Sequence, residues 1–148
     1  MDTTAAILSP DQVLSQDQAL CHLFFHCCLE DEEFTEAEMN DLSAKLVVLG
    51  LYPKMNFRDE LVQYRRYRPT IADEQEYLRH LLKLINAVND LALFSYCVEL
   101  CIDDPVLDPR EQALLSKISK ELGIQPETAD TVVRLFAQRK VAETQHMF

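Results

Sequence analysis

Two glycines in 148 residues are very few. Hairpin turns and phosphate-cradling loops depend on glycine for positive φ, so this scarcity argues against sheets and for helices. There is no Gly-flanked serine elbow, phosphate loop or dinucleotide fingerprint, which leaves nucleophilic and nucleotide chemistry without a motif. Cations are the minority, 14 Lys and Arg against 25 Asp and Glu, for a net charge of −11. Such a surface repels nucleic acid and anionic lipid and attracts cations or basic partners. The longest apolar runs, Leu91–Ile102 and Ala19–Leu29, are interrupted by polar residues and too short to span a bilayer. The opening MDTTAAILSPDQ lacks the basic region and long apolar stretch of a signal peptide, and the five cysteines are an odd number. The expectation is a cytoplasmic protein with reduced thiols, no nucleic-acid partner and no membrane insertion.

With 48% hydrophobic and 26% charged residues, a chain of this length can bury a core and fold. Helix grammar runs along it. Pro10 behind Ser9, or Ser15 with Gln18, starts a first helix, and Ala19–Leu29 is apolar almost all round. Thr35 with Glu38 makes a capping box ahead of the stripe Met39, Leu42, Leu46 and Leu49, and Gly50 ends it. Asn56 caps a short helix through roughly Tyr67, closed by Pro69. Thr70 with Asp73 starts a connecting helix over about 71–86 with Tyr77, Leu81, Leu84 and Ile85 inward, and a break follows near Asn86–Asp90. Leu91–Ile102 is a second apolar helix. Asp108 with Glu111 caps the next, Leu115, Ile118 and Leu122 face inward, and Gly123 stops it. Pro126 begins a last helix to about Arg139.

A shift of 73 residues lays Ala19–Leu51 on Ala92–Ile124 without a gap. Cys28/Cys101, Asp31/Asp104, Glu38/Glu111, Leu42/Leu115 and Gly50/Gly123 are identical, and Thr35/Asp108 keep capping chemistry. Cys21 pairs with Phe94 and Phe24 with Cys97, small and large in opposite order, as volume compensation in a shared core would require. The expected fold is all-α: a single domain over 1–148, a helical bundle of two pseudo-twofold-related hairpin halves, about 16–68 and 88–139, plus extra helices.

An apolar helix, an acidic loop, a capped helix with a Glu and a closing Leu-Gly-Leu or Leu-Gly-Ile occur twice, at Leu29–Leu51 and Ile102–Ile124. In this the chain resembles the TerB-like tellurite-resistance family over roughly Gln16–Arg139. The resemblance implies a pseudo-symmetric all-α fold and a link to metal or metalloid stress, with Asp31, Glu38, Asp104 and Glu111 as metal ligands. The family's loop glycine is replaced by Glu32 in one half and Pro105 in the other, and Pro105 cannot adopt positive φ.

Carboxylates crowd both loops, which suits a hard divalent cation such as Ca²⁺ or Mg²⁺, with Mn²⁺ or Zn²⁺ as further candidates. The same acids also serve helix N-termini, and Glu38 and Glu111 are explained as capping-box residues. His22 and His26, one helical turn apart with Cys27 beside them, have the spacing of a zinc half-site, or of a pair packed in a core helix. Tyr64-Arg65-Arg66-Tyr67-Arg68 offers Arg65, Arg66 and Arg68 to an acidic partner or balances acids within the chain. The cysteines lie inside apolar helices, where no thiol pKa is lowered, which disfavours redox catalysis. The expectation is therefore a non-enzymatic TerB-like module that binds a cation through its acidic loops, acting in a metal, metalloid or general stress response. The alternative is a metal-free interaction module using its acidic and Arg-rich surfaces, with a protein partner or a homodimer. A metal-dependent enzyme is the third reading.

Overall fold

Capping residues mark the starts of several helices. The structure, a computed structural model, describes residues 9–28, 55–102 and 109–144, together with helical positions 39, 40, 42–44 and 46. The fold is all-α, and no strand occurs among the described residues. The helices are α1 (Gln16–Cys28), α2 (Phe57–Tyr67), α3 (Glu74–Ile85), α4 (Asp90–Cys101), α5 (Pro109–Glu121) and α6 (Pro126–Thr144). Both predicted starts at the N-terminus are used: Pro10–Gln12 forms a 3₁₀ turn, and Ser15 Oγ then accepts from the Gln18 backbone N–H at 3.1 Å as α1 begins. Asn56 caps α2 by accepting from the backbone N–H groups of Arg58 and Asp59.

Two boundaries differ from expectation. Thr70 does not start α3. Its hydroxyl donates back to the Tyr67 carbonyl at 2.6 Å and closes the preceding turn, while the Asp73 carboxylate caps α3 through the Glu76 N–H. The last helix runs to Thr144 rather than Arg139, because no glycine or proline interrupts 127–144. The capped hairpin of the first half, with Thr35 and Gly50, lies outside the described residues. So does Asp108, the expected cap of α5.

Gly123 ends α5 as predicted. At φ +70°, its N–H donates to the Lys120 carbonyl and the Ile124 N–H to the Ser119 carbonyl, the paired bonds of a Schellman motif. An added Cβ would meet nothing within 4 Å, so substitution is opposed by backbone strain alone. Gly123→Ala is expected to destabilise by about 1 kcal/mol and Gly123→Asn by less, as urea denaturation would measure.

The chain divides into two compact units, Met1–Asn86 and Ala87–Phe148. The division falls beside Asn86, which closes α3 in the left-handed conformation at φ 45°. The connecting helix thus belongs with the first repeat half. The repeat register is visible in the helix bounds. Shifted by 73, α1 covers 89–101, against Asp90–Cys101 observed for α4. Shifted back, α6 covers 53–71, which contains α2 and the 3₁₀ turn Arg68–Thr70. Each half therefore also repeats a third helix.

The two apolar helices are packed differently. In unit 1, α2 and α3 both pack on α1, and every residue from Cys21 to Cys27 is buried. Leu23, Phe24 and Phe25 are wholly buried, each contributing roughly 1.5–3 kcal/mol. In unit 2, α4 packs on α5 and α6. Its Leu93, Phe94, Cys97, Val98 and Cys101 are buried, while Leu91 and Ala92 are exposed. Cys21 and Phe24 are buried in the one unit and Phe94 and Cys97 in the other.

Candidate functional site

The polar residues with the richest geometry sit inside unit 1. A buried polar group must find partners, since leaving one unpaired costs on the order of 1–3 kcal/mol. His22 (0% exposed) and His26 (6%) lie on α1 one turn apart. Glu60, Tyr64 and Tyr67 fall at i, i+4 and i+7 on α2, which sets them on one face. Glu74 and Tyr77 open α3.

Every ring nitrogen of the two histidines is engaged. His22 pairs through Nδ1 with the Tyr67 hydroxyl at 2.5 Å and through Nε2 with Glu60 Oε2 at 2.6 Å. His26 pairs through Nδ1 with the Tyr64 hydroxyl at 2.6 Å and through Nε2 with Glu74 Oε2 at 2.9 Å. Tyr67 and Tyr77 join hydroxyl to hydroxyl at 2.6 Å. Gln18 Nε2 donates to both Glu60 oxygens at 3.2 Å.

Proton accounting orients these bonds. With the carboxylates ionised and the imidazoles neutral, the ring proton lies on Nε2, facing the carboxylate, and Nδ1 accepts. Tyr77 then donates to Tyr67, Tyr67 to His22 and His22 to Glu60. In parallel, Tyr64 donates to His26 and His26 to Glu74. The two relays end on carboxylates that reach towards water, Glu60 with a 14% and Glu74 with a 33% exposed side chain.

The rings also pack. His22 stacks on Tyr67 at 5.5 Å between centroids, and His26 and Tyr77 meet edge-on at 5.2 Å. Burial pushes the hydroxyls of Tyr64, Tyr67 and Tyr77 well above the ordinary tyrosine range; neighbouring acids add to this in Tyr64 and Tyr67, and neighbouring tyrosines in Tyr64 and Tyr77. Burial, helped by Glu60, does the same to the Cys21 thiol. These groups hold protons and do not release nucleophiles.

The residues singled out from the sequence fall in different places. Asp31, Glu38 and Asp104 lie outside the described residues, and Glu111 is half-buried in the first turn of α5. His22 and His26 are together, each bonded to a carboxylate and a tyrosine, and Cys27 is buried on the same helix. No three His, Cys, Asp or Glu side chains form a metal-holding group among the described residues. Tyr64 and Tyr67 point inward and are 0% exposed, so neither ring is open to a nucleic-acid base. Arg65 and Arg66 point outward, and Arg68, half-buried, stands close enough to Tyr64 to act on its hydroxyl. Glu60, Glu74 and the three tyrosines were not anticipated as partners of the histidines. The i, i+4, i+7 spacing of Glu60, Tyr64 and Tyr67 was the available signal.

In unit 2 the shifted counterparts of His22 and His26 are Ser95 and Glu99, and those of Glu60, Tyr64 and Tyr67 are Val133, Ala137 and Lys140. The relays thus belong to the first half alone. No family model, curated protein or solved structure matches the chain. Among the described residues no helix is long and apolar enough to cross a membrane.

Proposed function

We propose that the chain is a non-enzymatic, TerB-like helical module of the cytoplasm that works by binding, in a metal, metalloid or general stress response. The observation that carries a binding role is the contrast between interior and surface. The buried acids, bases and hydroxyls of unit 1 satisfy one another, which suits a rigid scaffold. Outside it, Arg65 and Arg66 are exposed with no ion-pair partner among the described residues, next to Val62 at 52% exposure. In a chain of net charge −11, unpaired cations beside an apolar side chain favour an acidic segment of a protein partner. Charge reversal of Arg65, Arg66 and Arg68 is expected to abolish co-purification of such a partner while leaving the thermal midpoint within a few degrees. A partner retained by the triple variant would refute this docking face.

The doubled acidic loop supports a second role, binding a divalent cation through Asp31, Glu38, Asp104 and Glu111. A ligand selective for the native state raises its stability by about 2.7 kcal/mol at a hundredfold excess over Kd. Purified protein is expected to show a raised thermal midpoint with at least one of Ca²⁺, Mg²⁺, Mn²⁺ and Zn²⁺ at millimolar concentration, and no rise after Asp31→Asn with Asp104→Asn. No rise with any ion rejects cation binding, and a rise that survives the double substitution rejects these ligands.

A further inference from the structure

Unit 2 holds a second feature, separate from the α2 surface and from the acidic loops. The α5–α6 hairpin encloses a groove of about 890 Å³. Along α5 it is lined at Gln112, Leu115, Ser116, Ser119, Lys120 and Gly123, spacings of three and four that make one continuous stripe. Along α6 the stripe is Ala129, Asp130, Val133 and Arg134, and Phe94 of α4 closes the floor. From Gln112 to Gly123 the seat is about 16 Å long, three helical turns at 1.5 Å per residue. Three features of this seat restrict what fits it. It is elongated, as a helix requires and a compact metabolite does not. Its walls are small at Ser116, Ser119, Gly123 and Ala129, so another backbone can approach closely and side chains can interlock. Its rim carries Lys120 on one wall and Arg134 on the other, both exposed, without ion-pair partners among the described residues, against the single acid Asp130.

Unit 1 holds a smaller groove of about 430 Å³, lined by Met39, Asn40, Ser43, Met55, Asn56, Phe57 and Arg58, of which Met39, Ser43, Asn56 and Phe57 fall on Gln112, Ser116, Ala129 and Asp130 under the 73-residue shift.

We infer that the α5–α6 groove of unit 2 seats an amphipathic helix of about three turns from a partner protein, with large aliphatic side chains facing Leu115, Ala129 and Val133 and acidic side chains meeting Lys120 and Arg134. This is helix-in-groove recognition, read through apolar anchors at i, i+3, i+4 and i+7. The cations on opposite walls select an acidic helix over a basic one, because a like charge against either is repelled.

The test uses the full chain and two synthetic three-turn helical peptides. Both carry leucine at i, i+3, i+4 and i+7. One has glutamate at the flanking positions, and the other has lysine there. Fluorescence anisotropy at moderate salt is expected to give at least tenfold tighter binding of the glutamate peptide. Ser116→Trp, at an exposed lining position, is expected to fill the seat and weaken binding at least tenfold. The double variant Lys120→Glu with Arg134→Glu is expected to reverse the preference, a gain of binding that misfolding cannot imitate. Failure of the glutamate peptide to bind at millimolar concentration, or a preference that persists in the charge-reversed variant, overturns the inference. Reversal of Arg65, Arg66 and Arg68 leaves this preference unchanged, so the assay also separates this site from the α2 surface.

Discussion

Replacing His22 with alanine is expected to destabilise the protein by about 4–8 kcal/mol. Two costs combine. Removing a buried ring leaves a cavity, worth roughly 3–5 kcal/mol for aromatic-to-alanine changes. It also strands the Tyr67 hydroxyl, which is fully buried and donates to His22 Nδ1, at roughly 1–3 kcal/mol. Glu60 is affected less, because Gln18 still donates to it and part of its side chain reaches water. Set against a typical net stability of roughly 5–15 kcal/mol, this loss brings the fold to its threshold. Chemical denaturation of variants that still fold tests the same relay more finely. Tyr77→Phe removes a hydroxyl that only donates and is expected to cost about 1 kcal/mol. Tyr67→Phe removes both the donor to His22 and the acceptor for Tyr77, and is expected to cost roughly two to three times as much. Equal losses from the two tyrosines would contradict the direction of proton donation along the relay.

This hierarchy also separates a structural network from a catalytic one. The Tyr–His–Glu order resembles a hydroxyl–imidazole–carboxylate triad in its bonds, yet its hydroxyls face one another rather than a substrate. Tyr67 is 0% exposed and its oxygen already lies between His22 and Tyr77. An arrangement of this kind gives α1, α2 and α3 one mutual register, because sliding any helix by a residue breaks several buried bonds at once. Hydrophobic burial alone would not impose that on a helix as evenly apolar as α1.

How far this was legible in the sequence follows from the range over which each interaction acts. Caps are local, so Asn56 and Gly123 announced their helix ends within three residues, and the all-α class followed from many such signals. The repeat was legible because it recurs in one register, and the observed α4 starts one residue inside the shifted image of α1. Thr70 misled because a hydroxyl three residues before Asp73 has two uses, capping forward or bonding back to Tyr67, and only the preceding turn decides. The relays were not legible as relays. His22 finds Glu60 at a separation of 38 residues and His26 finds Glu74 at 48, across helices whose packing the sequence does not state. A histidine pair at i, i+4 suits zinc, solvent or a core equally until its partners are known. The Tyr-Arg interleaving had the opposite fate: α-helical geometry splits it, with Tyr64 and Tyr67 inward and Arg65 and Arg66 outward. The docking groove escaped notice because small residues such as Ser116, Ser119 and Ala129 carry little signal until two helices set them face to face.

Alkaline pH is expected to unfold the protein steeply, through the same tyrosines. Each of Tyr64, Tyr67 and Tyr77 has its ionisation raised in the folded state, with burial as the main cause. In the unfolded chain all three would titrate near pH 10. A group held protonated by the fold contributes stability that is fully present below the unfolded value and is lost as pH climbs from there through the folded one. The sign is therefore negative with rising pH, and the window opens at about pH 10. Each such group contributes a slope of about 1.4 kcal/mol per pH unit, so the three together approach about 4 kcal/mol per unit. Cys21, raised by burial and by Glu60, adds to the slope and begins lower, near pH 9. A fold of ordinary stability is exhausted within roughly one to four pH units of such a slope. Tyrosinate absorbance near 295 nm provides the readout, because it records the titration itself. The buried tyrosines are expected to ionise together with the loss of helical circular dichroism, in one cooperative step. Smooth ionisation of all five tyrosines around pH 10, before helix content falls, would mean that Tyr64, Tyr67 and Tyr77 are open to solvent. Tyr77→Phe is expected to shift the transition upwards in pH and to shallow it by about a quarter, even as it lowers stability at neutral pH, because it removes one of the four protons, that of Cys21 included, that the fold retains.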